Sequence, residues 1–375
     1  MTSTTDRDGR SERLADAVAV VGTGLVGASA ALASVRAGYR VVGWDENSDR
    51  ARRAAERGSF EAAASLEQAV EGADVVLIAT PIPTIPALVA RALEAAPAAV
   101  VTDAGSVKTD LVDAVDGLVD VSHRSRYVPG HPMGGSERSG PDHASASVVD
   151  GIVWVVAPTA VSDASMVERL ERWIGAIGAK PVRMDAARHD RLVAFVSHLP
   201  QVASTALMSL AAAEEADEPE ILLLAAGGFR DLTRLAASNP ALWSDILLSN
   251  RSAIGDAIDL YVARLGQLRA DIVAGRGDQV EATFDGAKRA RLRLATKAQV
   301  RAGVAVLQVE LPDRPGALAH LTSILGEGDV NIEDLQIVHS PEGGRGTVHL
   351  TVAADAADSA GSVLSTGGFD PIRLA

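Results

Sequence analysis

The chain has 375 residues, 47% of them hydrophobic and 22% charged, a balance typical of globular proteins with two or three packed units. Its formal net charge of -14, without a cluster of lysines or arginines, argues against nucleic-acid binding. The absence of cysteine excludes disulfides and thiolate-bound metals, and it fits a reducing compartment.

Residues 1–15 are polar and lack the apolar stretch of a secretory signal, so we expect them to form a disordered tail. No apolar run in the sequence approaches the roughly 18 residues of a membrane span. We therefore expect a soluble, cytoplasmic protein without a membrane or nucleic-acid partner.

Between residues 16 and 184, short apolar runs alternate with helical patterns. The runs are rich in β-branched residues, as in strands buried on both faces, and comprise residues 18–21, 40–44, 74–79, 99–102 and 152–157. This alternation predicts an α/β domain with a doubly wound parallel sheet and crossover helices.

The first predicted strand leads into Gly22-x-Gly24-x-x-Gly27. In this pattern the glycines permit a tight turn, the close approach of a pyrophosphate and the packing of a helix on the strand. The helix that begins near Leu25 would direct its N-terminus at the phosphates. A strand before the glycines and a helix after them predict a Rossmann-type dinucleotide site.

Asp45 ends the next predicted strand, close to the spacing of about 20 residues expected of the acid that binds the adenosine ribose. A carboxylate there would repel the 2′-phosphate of NADP, so we predict NAD as the cofactor. Arg50, Arg52 and Arg53 follow closely and leave NADP open as an alternative.

Two later strands end in candidate ligand loops. Thr80 and Pro81, in "ATPIPT", follow one of them, where they could contact the nicotinamide or simply end the strand. In "VTDAGSVKTD", Asp103, Ser106 and Lys108 follow another strand. That turn is typical of a helix cap, but its place beside the nicotinamide makes Ser106 a candidate substrate contact.

"GHPMGGSERSG", residues 130–140, has no apolar period and is expected to be a loop. A lone loop histidine is often a surface residue, but a neutral imidazole is also well suited to accept a proton near pH 7. His131 is therefore a candidate general base, and Glu137 could order the loop around it.

Residues 185–298 show only helical patterns. His189 and His198 are nine residues apart, so a regular helix would place them on opposite sides and exclude a shared site. His198 and Gln201 share one face at an i, i+3 spacing. The eight histidines show no metal-binding spacing, and no metal site is expected.

Arg230 and Arg234 stand at an i, i+4 spacing among apolar residues of the same region. Exposed arginines usually form a solvated face. A partly buried guanidinium would instead need a carboxylate, which it can hold through two parallel hydrogen bonds.

Residues 303–375 alternate strand and helix in the order β-α-β-β-α-β, which predicts a small ferredoxin-like module. In this module "DRPG" forms a turn and Pro315 opens a helix.

Several motifs together resemble the prephenate/arogenate dehydrogenases of tyrosine biosynthesis. They are "GTGLVG", "DAGSVK", "GHPMGGSERSG", "HDRLVAFVSHLP" and "GGFRDLTRLAASNP", in this order. "DRPGALAHLTSIL" and "VNIEDLQI" resemble an ACT domain. The resemblance covers nearly the whole chain after the tail, and it implies an NAD-binding domain (16–184), an all-α dimerisation domain (185–298) and an ACT regulatory domain (303–375) in a homodimer.

The resemblance implies NAD-dependent oxidative decarboxylation of a cyclohexadienol, which converts prephenate to 4-hydroxyphenylpyruvate. It implies that His131 takes up the proton of the substrate hydroxyl, which Ser106 also contacts. Arg234 would pair with a substrate carboxylate, His198 would line the pocket and Glu137 would gate it.

One position departs from the pattern of many prephenate-using members, which read "SHLPH" where this chain reads "SHLPQ". Gln201 could accept either the keto acid of prephenate or the amino acid of arogenate, so arogenate dehydrogenase is the alternative. ACT domains commonly bind amino acids, and tyrosine bound near Asp313, Gly316 and Asn331 is the natural hypothesis. A dimerisation module without a ligand is the other interpretation.

Two further classes are less favoured. A β-hydroxyacid dehydrogenase would need a catalytic lysine in the long helix, and "AFVSHLPQVAS" contains none. A non-catalytic amino-acid sensor with a vestigial nucleotide fold would have lost at least one of Ser106, His131 and Arg234, which are all present.

Overall fold

The structure is a computed structural model that describes residues 16–134, 140–302, 304–312, 314–339 and 345–374. Its strands are β1 (Ala17–Val21), β2 (Arg40–Trp44), β3 (Glu61–Ala62), β4 (Val75–Ile78), β5 (Val100–Asp103), β6 (Gly130–Pro132), β7 (Val153–Val156), β8 (Lys180–Arg183), β9 (Val304–Pro312), β10 (Asp334–His339), β11 (Arg345–Ala353) and β12 (Ile372–Leu374). The predicted tail, Glu137 and Asp313 lie outside the described residues.

Helices occupy much of the rest of the described chain. They are α1 (Leu25–Arg36), α2 (Ser48–Gly58), α3 (Leu66–Val70), α4 (Ile85–Ala95), α5 (Thr109–Leu118), α6 (Val121–Arg124), α7 (Ala164–Ala176), α8 (Ala186–Val193), α9 (Leu199–Glu214), α10 (Glu220–Leu223), α11 (Gly227–Thr233), α12 (Pro240–Ser249), α13 (Arg251–Val273), α14 (Gly277–Ala302), α15 (Ala317–Glu327) and α16 (Ala357–Thr366). The chain forms two compact units, which divide between Tyr261 and Val262.

A five-stranded parallel sheet forms the first part of the first unit, with the strand order β3-β2-β1-β4-β5. Alternate residues of β1 enter two separate cores, Ala19 and Val21 on one face and Val18 and Val20 on the other. Burial on both faces explains why the strands read as continuous apolar runs. The Rossmann-like parallel sheet and the first four predicted apolar strands are confirmed.

The fifth predicted strand belongs to a second sheet, so the prediction of one parallel sheet was wrong at this point. This sheet has the order β6-β7-β8, and β6 pairs antiparallel with β7. His131 therefore lies on a short strand opposite Val155 and not in a loop. Three residues that include a glycine and a proline are too short to show a strand period, which explains the error.

The region predicted to be helical is confirmed as helical from α8 to α14. A π turn, Ala194–His198, interrupts the continuous helical segment Ala186–Glu214. This segment is long and apolar enough to cross a membrane by length and average composition, although it contains no unbroken run of 18 apolar residues. A core helix of a soluble protein passes the same test, and the segment alone does not establish a membrane span.

The second unit contains an antiparallel sheet with the order β10-β11-β9-β12. Helices α15 and α16 pack against it over a core that includes Val309, Leu321, Val348 and Leu364. The predicted β-α-β-β-α-β arrangement is confirmed.

Candidate functional site

The turn after β1 has the geometry that a dinucleotide needs. A Cβ atom at Gly27 would lie 1.9 Å from the carbonyl oxygen of Gly22, so helix α1 can pack this closely on the strand only through glycine. A Cβ atom at Gly24 would meet nothing within 4 Å, which leaves the backbone beside Leu25 open to a pyrophosphate. These residues fit NAD on grounds independent of the motif.

Asp45 follows β2 and lies beside the glycine turn. One carboxylate oxygen accepts from the backbone N–H of Thr23 at 2.8 Å, and the other accepts from Asn47 N–H at 3.0 Å and from Arg50 Nη1 at 3.2 Å. Arg52 pairs with Asp49 and Arg53 with Asp142. Of the three arginines noted in the sequence, Arg50 is therefore the one that contacts the candidate ribose-binding acid.

Thr80 and Pro81 follow β4, the neighbour of β1 in the sheet. The Thr80 side chain packs against Gly22, since a Cβ atom there would lie 2.7 Å from Thr80 Cγ2. The Thr84 hydroxyl donates to Thr80 Oγ1 at 2.9 Å. The two strand ends thus meet where open α/β sheets bind their ligands.

A buried ion pair fixes the strand that carries His131. Lys108 is wholly buried, and its Nζ donates to Asp103 Oδ1 and to the carbonyl oxygen of Gly130. Burial lowers the pKa of Lys108 despite the attraction of Asp103. Tyr127 adds a hydrogen bond from its hydroxyl to Asp103 Oδ2 at 2.8 Å. Because Lys108 bonds the residue before His131, the turn that holds the half-buried Ser106 lies against this strand.

His131 has a partner that the sequence did not predict. Its Nδ1 lies 2.8 Å from Nε2 of His189, whose Nδ1 lies 2.8 Å from Oδ1 of Asp190. The Asp190 carboxylate also accepts the backbone N–H groups of Lys108 at 2.8 Å and Thr109 at 2.7 Å. The adjacent letters "HD" at the start of the predicted helix were the available signal, since a histidine next to an acid can be oriented by it.

His198 lies in the same cluster, which corrects the inference that His189 and His198 cannot share a site. Asn250 Nδ2 donates to the carbonyl oxygen of Asp190 at 2.9 Å and to His198 Nδ1 at 3.2 Å, and so it bridges the two. Nine residues span about two and a half turns of a regular α-helix. The π turn Ala194–His198 accommodates an extra residue, and this change in helical phase turns His198, its last residue, toward the cluster.

The electrostatic setting favours neutral imidazoles. Burial, the neighbouring His189, Lys108 and His198 together hold the pKa of His131 well below its usual value. Burial lowers the pKa of His198 to about 4, although Asp190 opposes the shift. Both side chains are therefore uncharged near neutral pH, and a neutral His131 can accept a proton.

Gln201 is linked to the segment that carries Arg234 by a hydrogen bond to the backbone. Gln201 is buried, and its Nε2 donates to the carbonyl oxygen of Leu235 at 2.8 Å. Its Oε1 accepts a long hydrogen bond from the Ser238 hydroxyl at 3.4 Å. The amide thus ties α9 to the 3-10 turn Arg234–Ala237, in which Arg234 is exposed.

In the second unit, a cavity of about 470 Å³ lies at the turn before α15. Gly316 lines it together with Glu310, Arg314, His320 and Phe369. Asn331 is not among the lining residues, and its side-chain amide donates to Glu333 at 2.9 Å.

Three consecutive segments of the chain match family profiles. Residues 30–183 match "Prephenate dehydrogenase, nucleotide-binding domain", residues 185–285 match "Prephenate dehydrogenase, dimerization domain" and residues 305–366 match "ACT domain". The prephenate dehydrogenase of Bacillus subtilis is 30% identical over 350 residues, which cover 92% of this chain and 94% of the relative. The chain belongs to the prephenate dehydrogenase family.

Other members of the family have similar sequences and structures. A cyclohexadienyl dehydrogenase of Zymomonas mobilis is 34% identical over 294 residues, which cover 76% of this chain and 98% of the relative. The structure of prephenate dehydrogenase from A. aeolicus in complex with hydroxyphenyl propionate and NAD+ has a TM-score of 0.70 and 27% identity over 76% of this chain and 100% of that chain. Synechocystis arogenate dehydrogenase has a TM-score of 0.65 and 29% identity over 73% of this chain and 98% of that chain. This member of the prephenate dehydrogenase family is an NAD-dependent dehydrogenase.

Proposed function

We propose that the chain catalyses the NAD-dependent oxidative decarboxylation of prephenate to 4-hydroxyphenylpyruvate in tyrosine biosynthesis. The observation that supports this most strongly is a neutral His131 on a strand that Lys108 ties to the end of the NAD-binding sheet. Oxidation of an alcohol needs a proton acceptor at its hydroxyl. His131 follows Gly130, whose carbonyl oxygen is held by Lys108 beside the end of β5.

Several side chains would act on the substrate during this reaction. NAD, when bound, accepts a hydride from the ring carbon that bears the hydroxyl, and loss of the ring carboxylate as carbon dioxide makes the ring aromatic. His131 takes the hydroxyl proton and can return it to the phenolic oxygen of the product. Ser106 contacts the same hydroxyl, Arg234 binds a substrate carboxylate and His198 lines the pocket. We assign the gating role to Glu137.

We propose that NAD binds at the edge of the parallel sheet where β1, β2 and β4 end. We assign the pyrophosphate to the glycine turn, the adenosine ribose to Asp45 and the nicotinamide half to the loop after β4; the residues concerned are Gly22, Gly24, Leu25, Gly27, Asp45, Thr80 and Pro81. The protein's contribution is mainly orientation of the two reactants and acceptance of one proton.

Arogenate is the alternative substrate. It is considered because this chain has Gln201 where many prephenate-using members of the family have histidine. The Gln201 amide is engaged with Leu235 and Ser238, so a direct contact with the substrate side chain would have to compete with these bonds. This favours an effect of Gln201 on the position of Arg234 over direct readout of a keto or amino group.

The assay that tests the proposal follows the absorbance of NADH, with NAD and either prephenate or arogenate. Turnover of prephenate supports the proposal. Turnover of arogenate alone would replace it with arogenate dehydrogenase. Inactivity with both substrates would favour the amino-acid sensor.

We further propose a cytoplasmic homodimer, with domain boundaries at 16–184, 185–298 and 303–375. The helical part exposes large apolar side chains in the single chain, including Val196 (68% exposed), Leu210 (60%) and Leu223 (80%). Together with the dimerization-domain profile that residues 185–285 match, these exposed side chains support an interface on the helical part. Val196→Asp combined with Leu210→Asp should yield monomers in analytical ultracentrifugation, and an unchanged dimer would exclude this face.

We also propose that L-tyrosine is an effector, bound at the cavity that Gly316 lines. Gly316 has a positive φ of 87°, so a larger residue would both strain the turn and narrow the cavity. Calorimetric titration with tyrosine should show binding to the wild-type chain and weaker binding to Gly316→Val. No heat of binding with the wild-type chain would favour a module without a ligand.

A further inference from the structure

We propose that His189 and Asp190 position His131 for catalysis by fixing which of its two ring nitrogens carries the proton. The inference rests on the proposed function, in which His131 accepts the hydroxyl proton of the substrate. His131 comes from β6, and the other two residues come from α8, so the arrangement joins two elements that are distant in sequence.

Asp190 is the fixed end of this arrangement. Burial opposes its ionisation, but hydrogen bonds from His189, Thr109 and Lys108 outweigh burial and hold the pKa of Asp190 below its usual value. An ionised carboxylate can only accept hydrogen bonds. The 2.8 Å contact between Asp190 Oδ1 and His189 Nδ1 therefore requires the proton to be on His189 Nδ1.

The tautomer of His189 determines that of His131. A neutral imidazole with its proton on Nδ1 has a bare Nε2, which can only accept. The 2.8 Å contact between His189 Nε2 and His131 Nδ1 therefore places a proton on His131 Nδ1. This leaves the lone pair of His131 on Nε2, the nitrogen that would face the substrate hydroxyl.

The arrangement also stabilises the positive charge that His131 acquires when it takes up the proton. Of the described titratable groups that act on His131, His189, Lys108 and His198 all disfavour its protonated form. The charge of Lys108 is paired with Asp103. The Asp190 carboxylate, one imidazole away, is the anion that can offset the charge on His131 after proton transfer. A buried carboxylate that orients a catalytic histidine plays the same part in serine hydrolases.

A direct test reads the protonated nitrogens without any substrate. In full-length protein labelled with ¹⁵N-histidine, long-range ¹⁵N–¹H correlations distinguish the two ring nitrogens of each histidine. We expect protonated Nδ1 and bare Nε2 in both His131 and His189 at neutral pH. A proton on Nε2 of His131 would overturn the inference, whatever the enzyme's activity.

Kinetics supply the second test. His189→Ala should lower kcat at least about 100-fold, within the range typical of a correctly placed general base, while the substrate KM and the Kd of NAD change less than about threefold. The acidic limb of the pH profile of kcat should also shift in this variant, because His131 Nδ1 loses its hydrogen bond to His189 Nε2. Added imidazole should restore part of kcat.

A matched control and the contrary outcomes separate this inference from the proposed function. His123→Ala, on α6, removes a histidine away from the cluster and should keep the wild-type kcat and pH profile. A His189→Ala enzyme with wild-type kcat and pH profile would refute the positioning role while leaving the proposed function intact. An inactive wild-type chain would refute the proposed function, and the labelled protein would still test the tautomer.

Discussion

At the scale of single residues, the site combines groups that the sequence identifies with groups that only the fold reveals. His131 and Lys108 lie in separate motifs, and a hydrogen bond from Lys108 to the carbonyl oxygen of Gly130 brings these motifs together. The motif "DAGSVK" thus has a physical reason for its lysine. Lys108 fixes the strand that carries His131, and so it acts through the backbone.

The proposed contact between Arg234 and a substrate carboxylate can be tested by mutation. Arg234→Ala should raise the substrate KM by at least about tenfold and change kcat less, since loss of binding shared by ground and transition states raises KM. Steady-state kinetics at saturating NAD would measure both constants. Arg230→Ala, four residues earlier and also exposed, is the matched control and should have a much smaller effect. Equal effects of the two variants would refute a specific carboxylate contact at Arg234.

At the scale of elements, the strands and the glycine turn were predictable, and two local features were not. Buried parallel strands produce continuous apolar runs, so β1, β2, β4 and β5 stand out in the sequence. Strand β6 has too few residues to show a period. The π turn has no sequence period of its own, and a regular helix would place His189 and His198 on opposite sides. His189 and Asp190 were missed because their partner lies 58 residues away in sequence from His189.

The glycine turn gives a prediction that separates packing from cofactor binding. Gly27→Ala would force its Cβ to within 1.9 Å of the Gly22 carbonyl, and overpacking of this kind costs about 1–3 kcal/mol. Gly24→Ala would meet no protein atom within 4 Å and should leave the stability of the fold nearly unchanged. We expect Gly24→Ala to lower the affinity for NAD without lowering Tm. Gly27→Ala should lower both the affinity for NAD and Tm.

Thermal unfolding and NAD titration of the two variants would measure these effects. Gly117→Ala, in α5, is the control, because a Cβ atom there also meets nothing within 4 Å and the residue lies away from the glycine turn. Unchanged NAD affinity in Gly24→Ala would contradict the placement of the pyrophosphate.

At the scale of the whole molecule, the buried histidines link global stability to pH. The pKa of His198 is about 4 in the folded chain, below the value of about 6.5 in an unfolded chain. The unfolded state therefore binds more protons between these values. The stability that this difference contributes is complete above about pH 6.5 and is lost as the pH falls toward about 4.

Urea unfolding at about pH 7 and about pH 5 would measure the effect. The wild-type midpoint should fall on acidification, and the fall should be smaller in His198→Gln, which keeps an acceptor for Asn250 but cannot titrate in this range. His123→Gln is the control and should match the wild-type fall. An equal fall in His198→Gln would mean that His198 does not carry the pH dependence.

Proton acceptance by His131 is the central claim, and the turnover of His131→Asn with prephenate tests it most directly. Asparagine is similar in size but cannot accept a proton near neutral pH, so we expect kcat to fall by about 100- to 10,000-fold. The Kd of NAD should stay nearly unchanged, because His131 lies on β6 and the glycine turn follows β1. A variant that turns over prephenate at the wild-type rate would contradict the role of His131 as the proton acceptor.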